Sequence, residues 1–222
     1  MLVAVVLAPP MAGRAHRYDW AEALQFMVFA MIAPGLVVAG APWRQLGLAK
    51  PATALADARR RHPEHARSAT LVALALACMV TWRLPASVDA LRSGGWPLAV
   101  EAFTLGLSGV VIWLECLTSP PLAPRCARPM RIALSAVSMW TIWTLAYLVA
   151  MSDGEWYPAY RHVAGHGLSL VADQQITAGV MWAVASICFL PLIFFDLFRW
   201  LHNEEEPDEA LQRLLRQERR RN

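Results

Sequence analysis

Long apolar runs, separated by short clusters of proline, glycine and charge, set the pattern of this chain. Five of them approach the roughly 20 residues that a helix needs to cross the hydrocarbon core of a bilayer. They lie near 19–40, 68–84, 97–117, 130–151 and 175–200. Pro42 stops the first, Pro85 the second, and the run Pro120, Pro121, Pro124 the third. Core helices of a soluble α-protein are the alternative, but such helices keep a polar face, whereas these spans are apolar nearly all round. The pattern therefore predicts an all-α fold, a polytopic membrane helix bundle of about five transmembrane helices over residues 1–202. A short N-terminal apolar segment precedes it and a polar tail, 203–222, follows.

Both ends need separate reading. Met1 to Ala12 is apolar but shorter than a span, and Pro9-Pro10 interrupts it. Arg14 comes after that run, where a secretory signal would carry its charge before it, so the segment reads as a short or truncated first helix. In the tail, Pro207, Asp208 and Glu209 open a helix whose arginines gather toward its end, as the macrodipole favours. Leu211, Leu214 and Leu215 share one face of it, which could lie on the inner leaflet, meet a partner or remain solvated.

Composition agrees with a membrane protein: 57% of residues are hydrophobic and 17% charged. Cys78, Cys116, Cys126 and Cys188 have no pairable spacing, so no disulfide framework is expected. The formal charge of +3 does not point to nucleic acid, because the arginines sit between apolar segments and not along one face with aromatics. Their placement instead gives an orientation. Fifteen of the 20 Lys and Arg fall on one side, in 44–67, 125–131 and 199–221, while Arg14, Arg17, Arg83, Arg92 and Arg161 fall on the other. The basic side is expected to be cytoplasmic, in a bacterial inner membrane, with the C-terminus inside. Trp20, Trp82, Trp96 and Trp156 then mark the outer boundary, and Trp43 and Trp200 the inner one.

Ionisable side chains at membrane depth are costly and are candidates for function. Here they are Glu22, Glu101, Glu115 and Asp196. Glu101, Thr104, Ser108 and Glu115 recur at helical spacing on one stripe that should face the bundle interior. All four acids lie near span ends, where they could equally reach headgroup water. Gln174, Thr177, Met181 and Cys188 form a second stripe, whose thioether and thiol would suit a soft metal such as Cu(I) or simply fill the core. His162 and His166, at i and i+4 in an outer loop, could join Met181 as metal ligands, although Gly165 and Gly167 weaken a helix there. No nucleophile–base–acid set, phosphate loop or CxxC pair occurs, so an enzyme is not expected.

Three segments carry a family likeness. DQQITAGVMW, Asp173 to Trp182, resembles the closing signature of the CtaG family of cytochrome c oxidase assembly factors. QFMVFAMIAPGLVVAGAPWR, Gln25 to Arg44, looks like that family's helix running into an Ala-Pro break, and LSGVVIW, Leu107 to Trp113, like its Gly-containing third segment. The likeness extends from about Pro9 to Arg199. It implies a membrane accessory or assembly factor for a haem-copper oxidase, with oxidase subunits or copper proteins as partners beside membrane lipid. The family's histidine pairs near the outer helix ends are not matched. Glu22 and Phe26 stand at one such place, and Leu98 to Ala102 contains no histidine at another. The family's proposed metal role is therefore not transferred to those positions.

The resemblance and the residues together point to an outer cluster of Asp173, Gln174, Gln175, Met181, Trp182, Glu101 and Glu22 as the working surface, with copper as the one cofactor worth testing. Asp173 is placed to cap the last helix, and at least one of Gln174 and Gln175 should turn inward for a partner. A structural scaffold that has lost metal binding is the second reading. A small transporter would call for an internal repeat or a helix broken at the midplane, and neither is visible in the sequence.

Overall fold

A computed structural model describes residues 13–61, 65–92, 95–152, 154, 156–157, 160 and 167–202. His162, His166, the tail and the first twelve residues lie outside this set. The described residues form an all-α polytopic helix bundle with seven main helices. They are α1 (Asp19–Gly40), α2 (Ala49–Arg61), α3 (His65–Trp82), α4 (Pro85–Arg92), α5 (Trp96–Cys116), α6 (Arg128–Ala150) and α7 (Leu170–Leu201). Four of them, α1, α5, α6 and α7, are long and apolar enough to cross a membrane; α3 and α4, bent by 67° where they meet, reach that length and apolarity only as a pair, which makes four to five candidate spans.

Local chemistry sets most boundaries. Proline occupies the first turn of α5 and of α6, where a missing amide hydrogen costs nothing. Ser169 caps α7 by accepting from the Ala172 amide at 3.1 Å. Ala41 adopts a left-handed conformation (φ 44°) ahead of Pro42 and ends α1. At 32 residues α7 is about 48 Å long, beyond the roughly 30 Å hydrocarbon core. Its last turns expose the aromatics Phe194, Phe195 and Phe198 on the outside of the bundle.

Packing follows chain order only in part. α7 lies along α6, α3 along α5, and α1 is enclosed between α5 and α7. α1 is not a uniform helix: Val28–Ile32 is a π-helical turn just before Pro34. Proline has no amide hydrogen to give to the preceding turn, and the wider turn exposes carbonyls on the side facing α5. There the Trp113 indole donates to the Met31 carbonyl at 2.9 Å, and Gly109 lies directly against the Ala30 carbonyl and the Pro34 ring. Gly35 in turn accommodates the Trp113 ring, which stacks on Phe189 of α7 at 5.3 Å. The interruption at Ala33-Pro34, which the family likeness marked and whose π turn only the structure shows, is thus closed by a neighbouring helix, as the bilayer requires.

A methyl group at Gly109 would meet Pro34 Cγ at 2.6 Å, so Gly109→Ala must push α1 and α5 apart. It is expected to destabilise the protein by about 1–3 kcal/mol, read as a lower melting temperature in detergent. Gly106→Ala, with nothing within 4 Å of the new methyl, should leave the melting temperature equal or slightly raised.

Candidate functional site

The buried ionisable residues of the spans divide between the two ends of the bundle. At one end, the start of α1, the end of α3, the start of α5 and the start of α7 bring Asp19, Glu22, Arg83, Glu101 and Asp173 together, all buried. Arg83, 2% exposed, is the centre of this group. Its Nη2 pairs with Asp19 Oδ1 at 3.3 Å and its Nη1 with Glu22 Oε2. The guanidinium also lies over the rings of Tyr157, at 4.8 Å, and Phe26, at 5.5 Å. The Tyr157 hydroxyl donates to the Arg83 carbonyl at 3.0 Å. Burial pushes this phenol above its ordinary value and Arg83 opposes the shift, so it remains a donor.

Asp173 does cap a helix, but not its own. It sits in the first turn of α7, where Ser169 already supplies the cap. Its carboxylate instead accepts from the Asp19 amide at 2.9 Å and the Trp20 amide at 3.2 Å, the first two free donors of α1. A carboxylate at the positive end of the α1 dipole is favoured there, and the bond ties residues 154 apart in sequence. Gln174 is the glutamine that turns inward. Its Oε1 accepts from the Trp156 amide at 3.0 Å and its Nε2 donates to the Val149 carbonyl at 3.2 Å, fastening the α6–α7 connection. Gln175 is exposed.

The other residues of the expected cluster separate. Glu101 is buried beside Glu22 and Arg83, and its Oε1 has no hydrogen-bond partner in the described structure. Met181 is wholly buried in the core, whereas Trp182, about 100° further round α7, is 52% exposed. Trp182 stacks on Trp143 at 5.3 Å, and with Gln175, Trp140 and Tyr147 they line an open apolar groove of about 530 Å³ between α6 and α7. Met181 and Cys188 lie seven residues apart, about 10.5 Å along the helix, too far to hold one ion together. Among the described residues no group of three His, Cys, Asp or Glu could hold a metal.

At the opposite end the expectation that Glu115 and Asp196 reach headgroup water is not met; both are buried. Glu115 pairs with Arg59 at 3.1 Å and Arg125 at 3.5 Å, and accepts from the Ser68 hydroxyl at 2.8 Å. Asp196 pairs with Arg131 at 3.1 Å. Burial pulls the Arg59 guanidinium below its ordinary value and the Glu115 carboxylate opposes this. Burial likewise pushes the Cys126 thiol up to about 11, leaving it a weak nucleophile. Sequence reading counted Arg83, Arg59 and Arg131 only as topology markers. Matching charges at equal depth, Arg83 with Glu22 or Arg131 with Asp196, is the signal that would have paired them.

Fold and site thus define a multi-pass membrane helix bundle whose span ends are cross-linked by buried ion pairs. The chain belongs to the cytochrome c oxidase caa3 assembly factor family (Caa3_CtaG), whose model matches residues 1–203. No curated protein and no solved structure matches significantly.

Arg83→Met would leave Asp19 and Glu22 buried without a cation, and is expected to cost about 3–5 kcal/mol. Asp173→Ala, which frees two amides of α1, should cost about 0.5–2 kcal/mol. Thermal unfolding in detergent checks the order; an Arg83→Met protein as stable as wild type would show that the cluster does not hold the bundle.

Proposed function

We propose that this chain is a non-catalytic accessory protein of the bacterial inner membrane that assists assembly of a cytochrome c oxidase, with its Arg59 end and C-terminus in the cytoplasm. The family match over residues 1–203 carries this reading, and the distribution of Lys and Arg supports the orientation. The Asp173 end is the working surface. The Arg83 ion pairs tie the end of α3 to α1, and the Asp173 hydrogen bonds tie α7 to α1, in one fixed arrangement that suits a surface on which an oxidase subunit docks. Copper handling at this end would fall to His162 and His166 with Met181.

A scaffold without metal is favoured by two observations: Met181 is fully enclosed, and Glu22 and Asp173 are engaged in holding helices. Two measurements separate the readings. Purified protein that takes up Cu(I) near one equivalent, lost in Met181→Leu with His166→Ala, establishes copper handling; uptake near zero leaves the scaffold. Under either reading the tagged protein should co-purify with oxidase subunits from the membranes of its own cell. Failure to recover any of them, under conditions that retain the folded bundle, removes the assembly role.

A further inference from the structure

Helix α2, 13 residues long, is not among the candidate spans of the described residues, and its side chains divide it into distinct faces. At 100° per residue, Ala52, Ala56 and Arg59 form the face buried on the bundle. Roughly a quarter-turn to one side lie Leu48, Pro51 and Leu55, all exposed, the two leucines at 43% and 40%. Roughly a quarter-turn to the other side lie Thr53, Asp57 and Arg60, also exposed, with Arg60 paired to Asp57 at 2.8 Å. Lys50 and Arg61 point away from the bundle. Neither their side chains nor those of the exposed Arg44 and Arg67 engage a partner among the described residues.

The depth of α2 is fixed by Arg59. Its guanidinium donates to the Leu114 carbonyl at 2.8 Å and the Ala123 carbonyl at 3.1 Å and pairs with Glu115. All three contacts lie at or just past the last turn of α5, a membrane-spanning helix. A helix clamped at that level lies where hydrocarbon gives way to headgroups. An apolar face a quarter-turn from the bundle contact, a polar face opposite it, and unpaired cations pointing outward are the arrangement of an interfacial helix.

We propose that α2 is a membrane-surface helix that binds anionic phospholipid headgroups. Leu48 and Leu55 enter the acyl boundary, and Lys50 and Arg61 meet headgroup phosphates. Charge complementarity selects this occupant: α2 carries four basic residues against the single acid Asp57, and cytoplasmic leaflets rich in anionic lipid attract such segments. The proposal rests on the chain spanning a membrane with its Arg59 end in the cytoplasm, as proposed above, and not on its role in oxidase assembly.

The test uses the full chain in vesicles, with the four native cysteines replaced by alanine. A nitroxide is placed at Leu55→Cys or Thr53→Cys, and its collisions with oxygen and with a water-soluble nickel chelate are compared. Oxygen should dominate at position 55 and the chelate at position 53. Chelate dominance at both would place α2 in water, as for a surface reserved for a soluble protein, and overturn the proposal. In a second measurement, detergent-purified protein is offered phosphatidylglycerol and phosphatidylcholine, and bound lipid is weighed by native mass spectrometry. Wild type should prefer phosphatidylglycerol, and Lys50→Gln with Arg61→Gln should lower that preference on the order of tenfold at an unchanged melting temperature. Equal retention of the two lipids by wild type, or an unaltered preference in the variant, would overturn the headgroup contact.

Discussion

A bilayer offers no water to a backbone that opens, so any interruption of a spanning helix must be closed by protein. The middle of α1 is such an interruption. Pro34 withholds an amide hydrogen, the preceding turn widens to π geometry, and Ala30 and Met31 turn carbonyls toward α5. α5 answers with an indole at Trp113 and with the absence of a side chain at Gly109. The same Trp113 ring reaches Phe189, so the repair of α1 also sets how α7 approaches. Three spans are fixed at mid-depth by one local defect and its partners.

The two ends are fixed differently. Charges drawn out of water are tolerated only when paired and hydrogen-bonded. At one end Arg83 serves Asp19 and Glu22 while Asp173 takes the free amides of α1. At the other, Arg59, Arg125 and Arg131 serve Glu115 and Asp196. The pairs cross-link helices that are distant in sequence and specify register along the bundle axis, which apolar packing alone leaves soft because lipid is as apolar as the side chains it would replace.

The sites illustrate how one motif can serve two sides of a helix. Asp173, Gln174, Thr177 and Met181 face inward and hold the bundle, while Gln175 and Trp182 face the α6–α7 groove. Read as a line of letters, the segment looks like a single site. A period of 3.6 residues splits it, and only the neighbours of α7 show which half is enclosed.

Sequence alone determined the membrane class, the all-α fold and the places of the apolar runs, because hydrocarbon thickness and the need for internal hydrogen bonds leave few options. It also marked Glu22, Glu101, Glu115 and Asp196 as exceptional, since a charge at such depth is rare. Tertiary structure decided which charges pair, that Asp173 caps α1 and not α7, and that α1 carries a π turn covered by Trp113. Those outcomes depend on which helix ends lie side by side. Contacts such as Asp173 with Asp19, 154 residues apart, are set by packing in three dimensions, which periodicity along the chain does not encode.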